Sequence, residues 1–326
     1  MTLIRRQMLC LAAATVAVLA LPAIGAAQSY PNRPLRIIVP FPPSGGPDTV
    51  ARILGNKLTE QMGQQVIVDP RPGASGVIAV EIAKNALPDG YTLLLAANTN
   101  FATLPVLKPK LPYDIDKDFV ALSRVASVAH VVAVPPSLGV GTVADLVKLA
   151  KAQPGQINYG SGGNGSTSHL AAEMFNLLAG VKTLHVPYKG IVLALNELIA
   201  GQLHFIMSSP VSAMPHAKTG RIKVIATTGA ARDPLLPELP TVADVLPGFE
   251  SSLWWGVAVP AKTPGDIVKK LHAEIVKALQ SPEVRELFAK QSVTAHAESP
   301  AEFTAFIKAD RSRIARVGRQ VGITLD

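Results

Sequence analysis

Short apolar runs alternate along this chain with segments whose apolar residues recur every third or fourth position. The runs at residues 35–40, 65–69 and 91–97 predict buried strands, since each is apolar and bounded by turn residues. Between the first two runs, apolar residues at helical spacing from Val50 to Met62 precede Gly63, which predicts a helix ending there. Strands that alternate with helices of this length predict an α/β fold with largely parallel sheets.

The second half of the chain repeats this alternation. Further strands are predicted at residues 157–160, 183–187, 203–207 and 222–227, and helices at residues 143–153, 168–179 and 191–200. In the helix at 168–179, the residues expected to face inward are Leu170, Met174, Phe175 and Leu178.

Two apolar segments are predicted to connect two lobes. Residues 122–135 would carry the chain from the first lobe to the second, and residues 253–260, which include Trp254 and Trp255, would bring it back. We therefore predict one lobe from residues 28–127 and 253–326, and a second lobe from residues 128–252. Such a tryptophan pair is expected to place one ring in the core and the other towards a cleft.

The carboxyl-terminal segment is predicted to be helical and to pack on the first lobe. Thr263, Ser281 and Ser299 each stand directly before a proline, with an acidic residue close behind. This pattern is typical of a hydroxyl cap followed by a proline in the first helical turn.

One stretch, residues 158–169, combines four glycines with several hydroxyl residues between a predicted strand and a predicted helix. A loop that leads into a helix exposes backbone N–H groups at the positive end of the helix dipole, which suits an anion. Residues 41–48 repeat this strand–loop–helix design in the first lobe. Asn98 and Thr99 follow a third strand, and ligands of open parallel sheets bind at the carboxyl ends of strands.

Residues 1–27 have the pattern of an export signal. Arg5 and Arg6 precede an apolar run, and small residues lead up to Gln28. The paired arginines also resemble a twin-arginine signal. Removal of this segment lowers the formal net charge from +8 to 8 − 2 = +6, and it deletes Cys10, the only cysteine. We therefore expect a periplasmic mature chain without a disulfide or a cysteine ligand.

The composition predicts a packed globular protein, because 48% of the residues are hydrophobic and 17% are charged. The positive net charge raises the possibility of a nucleic-acid partner. However, the basic residues are scattered, and aromatic residues make up only 5%. A solvated surface is the better interpretation, and no nucleic-acid partner is predicted.

The glycine-rich stretch can be compared with the motifs of several other kinds of site. Gly160 to Gly165 matches a dinucleotide motif, but the acidic residue expected about 20 positions later is missing. A phosphate loop fails because Ser166 stands in place of lysine. No H-E-x-x-H motif occurs, so neither a metal nor a cofactor is predicted. An exported hydrolase using Ser161 or Ser166 with His169 stays open as an alternative, although no G-x-S-x-G motif is present.

Several motifs resemble those of one receptor family in the same order along the chain. They include residues 39–46, 71–74, 88–93, 111–114, 158–162, 186–190 and 239–242. The chain is similar to the tripartite tricarboxylate transporter substrate-binding proteins, also called Bug receptors. This resemblance implies a two-lobed periplasmic binding protein of the type II kind, with a cleft that closes over a small carboxylate. A membrane permease is the implied partner, and a monomer is expected.

The resemblance also implies which residues hold the ligand, because two loops of the family grip a carboxylate. Asn98, Thr99 and Ser208 are added for the variable part of the pocket, and Tyr188 for closure of the cleft. Asp48 is expected to stabilise its helix start rather than to bind ligand. The predicted site residues are Pro43, Ser44, Gly45, Gly46, Asp48, Asn98, Thr99, Ser161, Gly162, Gly163, Gly165, Ser166, Thr167, Ser168, His169, Tyr188 and Ser208.

One departure from the family pattern bears on the ligand. Ser208 and Ser209 occupy positions where many relatives carry aspartate and asparagine. Without that acid, a ligand ammonium has no natural partner, which favours a non-amino carboxylate such as an aromatic, di- or tricarboxylate. A role as a sensor for a membrane signalling partner stays open beside transport.

Overall fold

The computed structural model describes residues 30–323, so the predicted export signal lies outside the described residues. From Arg33 onward the chain forms one compact unit that contains two β-sheets with helices packed on them. None of the helices in the described part is both long and apolar enough to cross a membrane.

The first sheet organises lobe 1. Its strands are β1 (Leu35–Val39), β2 (Val66–Pro70), β3 (Thr92–Ala97), β4 (Phe119–Ala129), β10 (Ser252–Pro260) and β11 (Thr294–Ala295). They lie in the order β11-β4-β10-β3-β1-β2. The strands β2, β1 and β3 are parallel, whereas β10 runs antiparallel to both β3 and β4.

The second sheet organises lobe 2. Its strands are β5 (Val131–Val134), β6 (Asn158–Ser161), β7 (Leu184–Pro187), β8 (Phe205–Ser208) and β9 (Lys223–Thr227), in the order β7-β6-β8-β5-β9. The strands β7, β6 and β8 are parallel, and β5 is antiparallel to β8 and β9. Both sheets are therefore mixed, because β10 in the first sheet and β5 in the second run against the parallel strands.

Helices cover the sheets. They are α1 (Gly46–Met62), α2 (Val77–Lys84), α3 (Leu104–Leu107), α4 (Ile115–Asp118), α5 (Val143–Ala152), α6 (Thr167–Ala179), α7 (Ile191–Ile199), α8 (Pro210–Lys218), α9 (Gly265–Gln280), α10 (Pro282–Lys290) and α11 (Pro300–Val321). As predicted, Gly63 terminates α1: it follows Met62 in a left-handed conformation, and its N–H donates to the Thr59 carbonyl.

The chain changes sheets between Ala129 and Val131 and returns between Thr227 and Ser252. The predicted first crossing, residues 122–135, contains the first change of sheet, whereas residues 253–260, predicted as the return crossing, follow the second change and lie within β10. The residue boundaries of the two lobes stay a prediction. The helices α9 and α11 pack on β4, as expected for a tail that covers the first lobe, and α11 also contacts α6 of lobe 2.

Two local predictions are wrong, and one helix was not predicted. Leu178 is 39% exposed, because the buried stripe of α6 runs through Ala172, Phe175 and Ala179 and leaves this side chain at its border. Thr263 does not cap α9, since its hydroxyl donates to the Pro260 carbonyl instead. The helix α8 was not predicted, because Pro215 interrupts its sequence.

The other two caps of the tail are confirmed. Ser281 Oγ accepts from the Val284 N–H, and Ser299 forms a reciprocal capping box with Glu302.

Candidate ligand-binding site

A cavity lies where the carboxyl ends of strands from both sheets meet. It encloses about 590 Å³ of non-protein space, including solvent at its mouth. The predicted site residues that line it are Gly45, Gly46, Asn98, Thr99, Gly162, Ser166, Thr167, Ser168 and Ser208. The predicted residues that lie outside its lining are Pro43, Ser44, Asp48, Ser161, Gly163, Gly165, His169 and Tyr188. Which of them contact ligand stays a prediction.

Four helices begin at the cavity. Gly46 of α1, Thr167 of α6 and Ile191 of α7 line it with their first residues, and Ser209 lines it as the N-cap of α8. Each helix start carries about half a positive elementary charge. None of the residues that line the cavity has a formally charged side chain. Helix ends and polar groups therefore supply its attraction for an anion.

The loop before α1 (residues 41–45, the proline loop) is fastened by Asp48. The Ser44 N–H donates to Asp48 Oδ2 at 3.0 Å, and Arg52 contacts both carboxylate oxygens at 2.9 and 3.0 Å. Asp48 is 3% exposed, so its charge is balanced within the protein. The Ser44 N–H is therefore engaged, whereas Gly45, at the end of the proline loop, and Gly46, the first residue of α1, line the cavity.

The loop before α6 (residues 162–166, the glycine loop) uses most of its own amides internally. The N–H groups of Gly162, Gly163 and Gly165 donate to Ser168 Oγ, Ser161 Oγ and His169 Nδ1 at 3.0, 3.1 and 3.2 Å. The glycines therefore shape the loop. The donors left for a ligand are the first-turn amides of α6, at Thr167 and Ser168, which have no intrahelical partner.

Three stacked rings, none of which lines the cavity, support the glycine loop. His169 and His185 lie face to face with ring centroids 4.0 Å apart, and Tyr159 stacks on His185 at 4.9 Å. Burial lowers the pKa of each histidine to about 4. Both imidazoles are therefore neutral at pH 7, which leaves His169 Nδ1 free to accept the Gly165 N–H.

The serine hydroxyls of this loop serve the loop itself. Ser161 Oγ bonds His185 Nε2 at 2.6 Å, and Ser161 is fully buried outside the cavity. Ser166 Oγ bonds Ser168 Oγ and accepts the His169 N–H as the cap of α6. The imidazole that Ser161 contacts is thus that of His185, whereas His169 Nδ1 is occupied by Gly165.

One side of the cavity is apolar, and composition patterns did not predict most of it. Its residues are Phe41, Pro42, Ile191, Val192, Met207, Leu253 and Trp255. The tryptophan pair is the exception, because its two rings divide as expected. Trp255 lines the cavity, whereas Trp254 Nε1 donates to Asp310 in the core at 2.8 Å.

His130 also lines the cavity and was not predicted, since a lone histidine in an apolar run carries no motif. It lies between β4 and β5, where the chain crosses to lobe 2. Its ring nitrogens contact Thr167 Oγ1 at 3.3 Å and Ser251 Oγ at 3.2 Å. Complete burial lowers the pKa of His130 to about 3, so the ring is neutral. It links both crossings to the first turn of α6.

Two lining residues contain buried polar atoms without a hydrogen-bond partner in the described structure. They are Asn98 Oδ1 and Ser209 Oγ. The other end of the Asn98 amide is fixed, because Nδ2 donates to the Ser252 carbonyl at 2.9 Å. Buried polar groups without partners are costly, which makes these two atoms candidates for contact with a ligand or an ordered water.

Comparison with known proteins identifies the family. A model described as the tripartite tricarboxylate transporter family receptor matches residues 50–323. The chain belongs to this family. Protein BugT of Bordetella pertussis is 35% identical over 303 residues, which are 92% of this receptor and 92% of BugT. The family expected from the sequence motifs is confirmed.

Two solved structures show the fold and the kind of molecule that relatives bind. R. palustris Rpa4515 with adipate has a TM-score of 0.88 and 32% identity, covering 90% of this receptor and 99% of that chain. MatC (Rpa3494) from Rhodopseudomonas palustris with bound malate has a TM-score of 0.83 and 28% identity, covering 88% and 99%. The two-lobed fold is that of periplasmic binding proteins, and the family and its structural neighbours are solute-binding receptors.

Proposed function

We propose that this protein is a periplasmic receptor that captures a small non-amino carboxylate and delivers it to a tripartite membrane permease. One observation carries the proposal: four helix N-termini meet at a cavity whose lining has no charged side chain. The partial charges of the four helix N-termini sum to about two positive elementary charges. This suits a carboxylate and exceeds the single negative charge of one carboxylate group. The relatives with adipate and malate bind ligands of this kind.

The polar and apolar sides of the cavity would contact different parts of the ligand. The amides of Gly46, Thr167 and Ser168 would bind a carboxylate, while Trp255 and Met207 would contact the carbon skeleton. Ser208 and Ser209 provide hydroxyls but no negative charge. An ammonium group would therefore lose water without gaining an anionic partner, which disfavours amino acids.

Export, assembly and domain limits belong to the same proposal. Residues 1–27 would direct export and be removed, and the mature receptor would act as a monomer. Lobe 1 would comprise residues 28–127 and 253–326, and lobe 2 residues 128–252, with closure about the two crossings. The α/β body and the family membership support this organisation.

Titration calorimetry with matched ligands tests the proposal. Adipate, benzoate and citrate represent the non-amino classes, and aspartate and glutamate represent the amino acids. The proposal predicts saturable binding to at least one non-amino carboxylate, and weaker binding to both amino acids. A clear preference for aspartate or glutamate would contradict the ligand class, and no binding to any of the five would contradict the carboxylate site.

A further inference from the structure

Residues 73–76 form a loop of lobe 1 that contacts the glycine loop of lobe 2. Ser75 Oγ donates to the Asn164 carbonyl at 2.9 Å. A Cβ on Gly163 would lie 3.0 Å from the same Ser75 oxygen. The φ angle of Gly163 is also 118°, a conformation that side chains rarely adopt. The glycine therefore provides both the backbone shape and the space that Ser75 needs.

This loop has an unusual backbone. All four of its residues have positive φ, and two of them, Ala74 at 47° and Ser75 at 54°, are not glycine. A left-handed conformation is unfavourable for such residues, so other contacts must hold it. A Cβ on Gly76 would come within 2.8 Å of Pro40 and 3.0 Å of Asn100. The loop therefore packs closely against the residues that follow β1 and β3.

We infer that Ser75 is a positioning residue for ligand binding: it holds the glycine loop in place from across the cleft when the lobes are together. This inference rests on the proposed function. Asn164 lies shortly before Thr167 and Ser168, which line the cavity. The hydrogen bond to Asn164 thus stabilises the arrangement in which the first turn of α6 lines the same cavity as Gly45 and Gly46. Ser75 is outside the cavity lining and acts without touching the ligand.

Other contacts across the cleft agree with this geometry. A Cβ on Gly190 would lie 2.6 Å from Pro42, and one on Gly45 would lie 3.5 Å from Val192. These contacts are apolar packing, which tolerates small shifts. The Ser75 contact is directional, since a hydroxyl donor must reach one carbonyl oxygen. It is therefore the contact that fixes the position of the glycine loop relative to lobe 1.

Ser75→Ala tests the inference, with Ser292→Ala as the matched control. Ser292 is a serine of lobe 1 with the same φ of 54°, at the turn between α10 and β11. Stopped-flow binding of the carboxylate found by calorimetry gives both rate constants. Ser75→Ala is expected to raise the dissociation rate by about threefold to tenfold, the effect of one hydrogen bond, with little change in the association rate. Ser292→Ala is expected to leave both rates unchanged.

A second measurement works without ligand. Spin labels at Asn56→Cys on α1 and Lys151→Cys on α5, both exposed positions, report the distance between the lobes. Ser75→Ala is expected to shift the distribution to longer distances, and Ser292→Ala is not. If the wild-type protein binds no carboxylate, the proposed function fails, and this distribution alone decides the role of Ser75. Unchanged dissociation and an unchanged distribution in Ser75→Ala would overturn the inference.

Discussion

The imidazole of His169 lies flat on that of His185, with ring centroids 4.0 Å apart and ring planes 9° apart. The pair is buried beside Tyr159, and the carboxylate of Glu173 is held by the Tyr159 hydroxyl. His169 Nδ1 accepts the Gly165 N–H and His185 Nε2 contacts Ser161 Oγ, so the pair joins the glycine loop to β6 and β7. A proton on His169 Nδ1 would break the first of these bonds.

This stack predicts a loss of stability in mild acid. The folded-state pKa of both histidines is lowered to about 4, below the ordinary value of 6.5. The unfolded chain therefore binds more protons than the folded one between pH 6.5 and pH 4. Their contribution is fully present above pH 6.5 and is lost as the pH falls towards 4. The expected slope is about 1.4 kcal/mol per pH unit for each histidine, measured by urea unfolding.

His169→Asn separates the stack from other titrating groups. Asparagine keeps an acceptor for the Gly165 N–H but does not titrate. The variant should show a shallower fall in unfolding free energy between pH 6 and pH 5 than the wild type. His272→Gln, which removes a histidine from α9, is the control. Identical slopes in the wild type and His169→Asn would contradict this account.

Gly46→Ala should impair binding far more than stability. A Cβ at Gly46 would lie 2.8 Å from Ser209 Oγ and 3.1 Å from Trp255 Cη2, so the start of α1 or these two lining side chains would have to shift. We expect affinity to fall at least about tenfold, since a buried site tolerates little misplacement of its donors. Gly265→Ala is the matched control, because Gly265 also begins a helix and has open space around it. Equal affinity in both variants would contradict the proposed role of the α1 amide.

Tryptophan fluorescence should report ligand binding through one residue. The chain has two tryptophans, of which Trp255 lines the cavity and Trp254 packs edge-on against Phe303 and Phe306. A bound carboxylate should change the emission of the wild type and of Trp254→Phe, while Trp255→Phe should give no signal even when calorimetry shows binding. A signal that persists in Trp255→Phe would place the ligand elsewhere.

Local sequence signals predicted the two strand–loop–helix units because each part has a short-range cause. An apolar run marks β1, Gly63 and Gly180 follow the ends of α1 and α6, and the Ser166 hydroxyl caps α6. The same signals do not predict contacts between residues that are far apart in the sequence. His130, Met207 and Val192 reach the cavity only because two sheets meet there. Neither the spacing of residues nor the composition predicts where the two sheets meet.

The direction of individual side chains could not be predicted from the sequence either. The glycine loop was predicted to offer its amides to an anion, yet Gly162, Gly163 and Gly165 donate to side chains behind the loop. Ser168 and His169 supply two of those acceptors from the following helix. Which partner an amide chooses depends on rotamers fixed by tertiary packing, and sequence spacing alone does not determine them.

Helix ends, without a charged side chain, are proposed to bind a non-amino carboxylate in this cavity. Titration calorimetry with adipate and its neutral diamide, on the mature chain at pH 7.5, tests this proposal directly once a dicarboxylate is found to bind. We expect saturable binding of the diacid and none of the diamide, because only a carboxylate gains from the helix N-termini. Equal binding of the diacid and the diamide would contradict it.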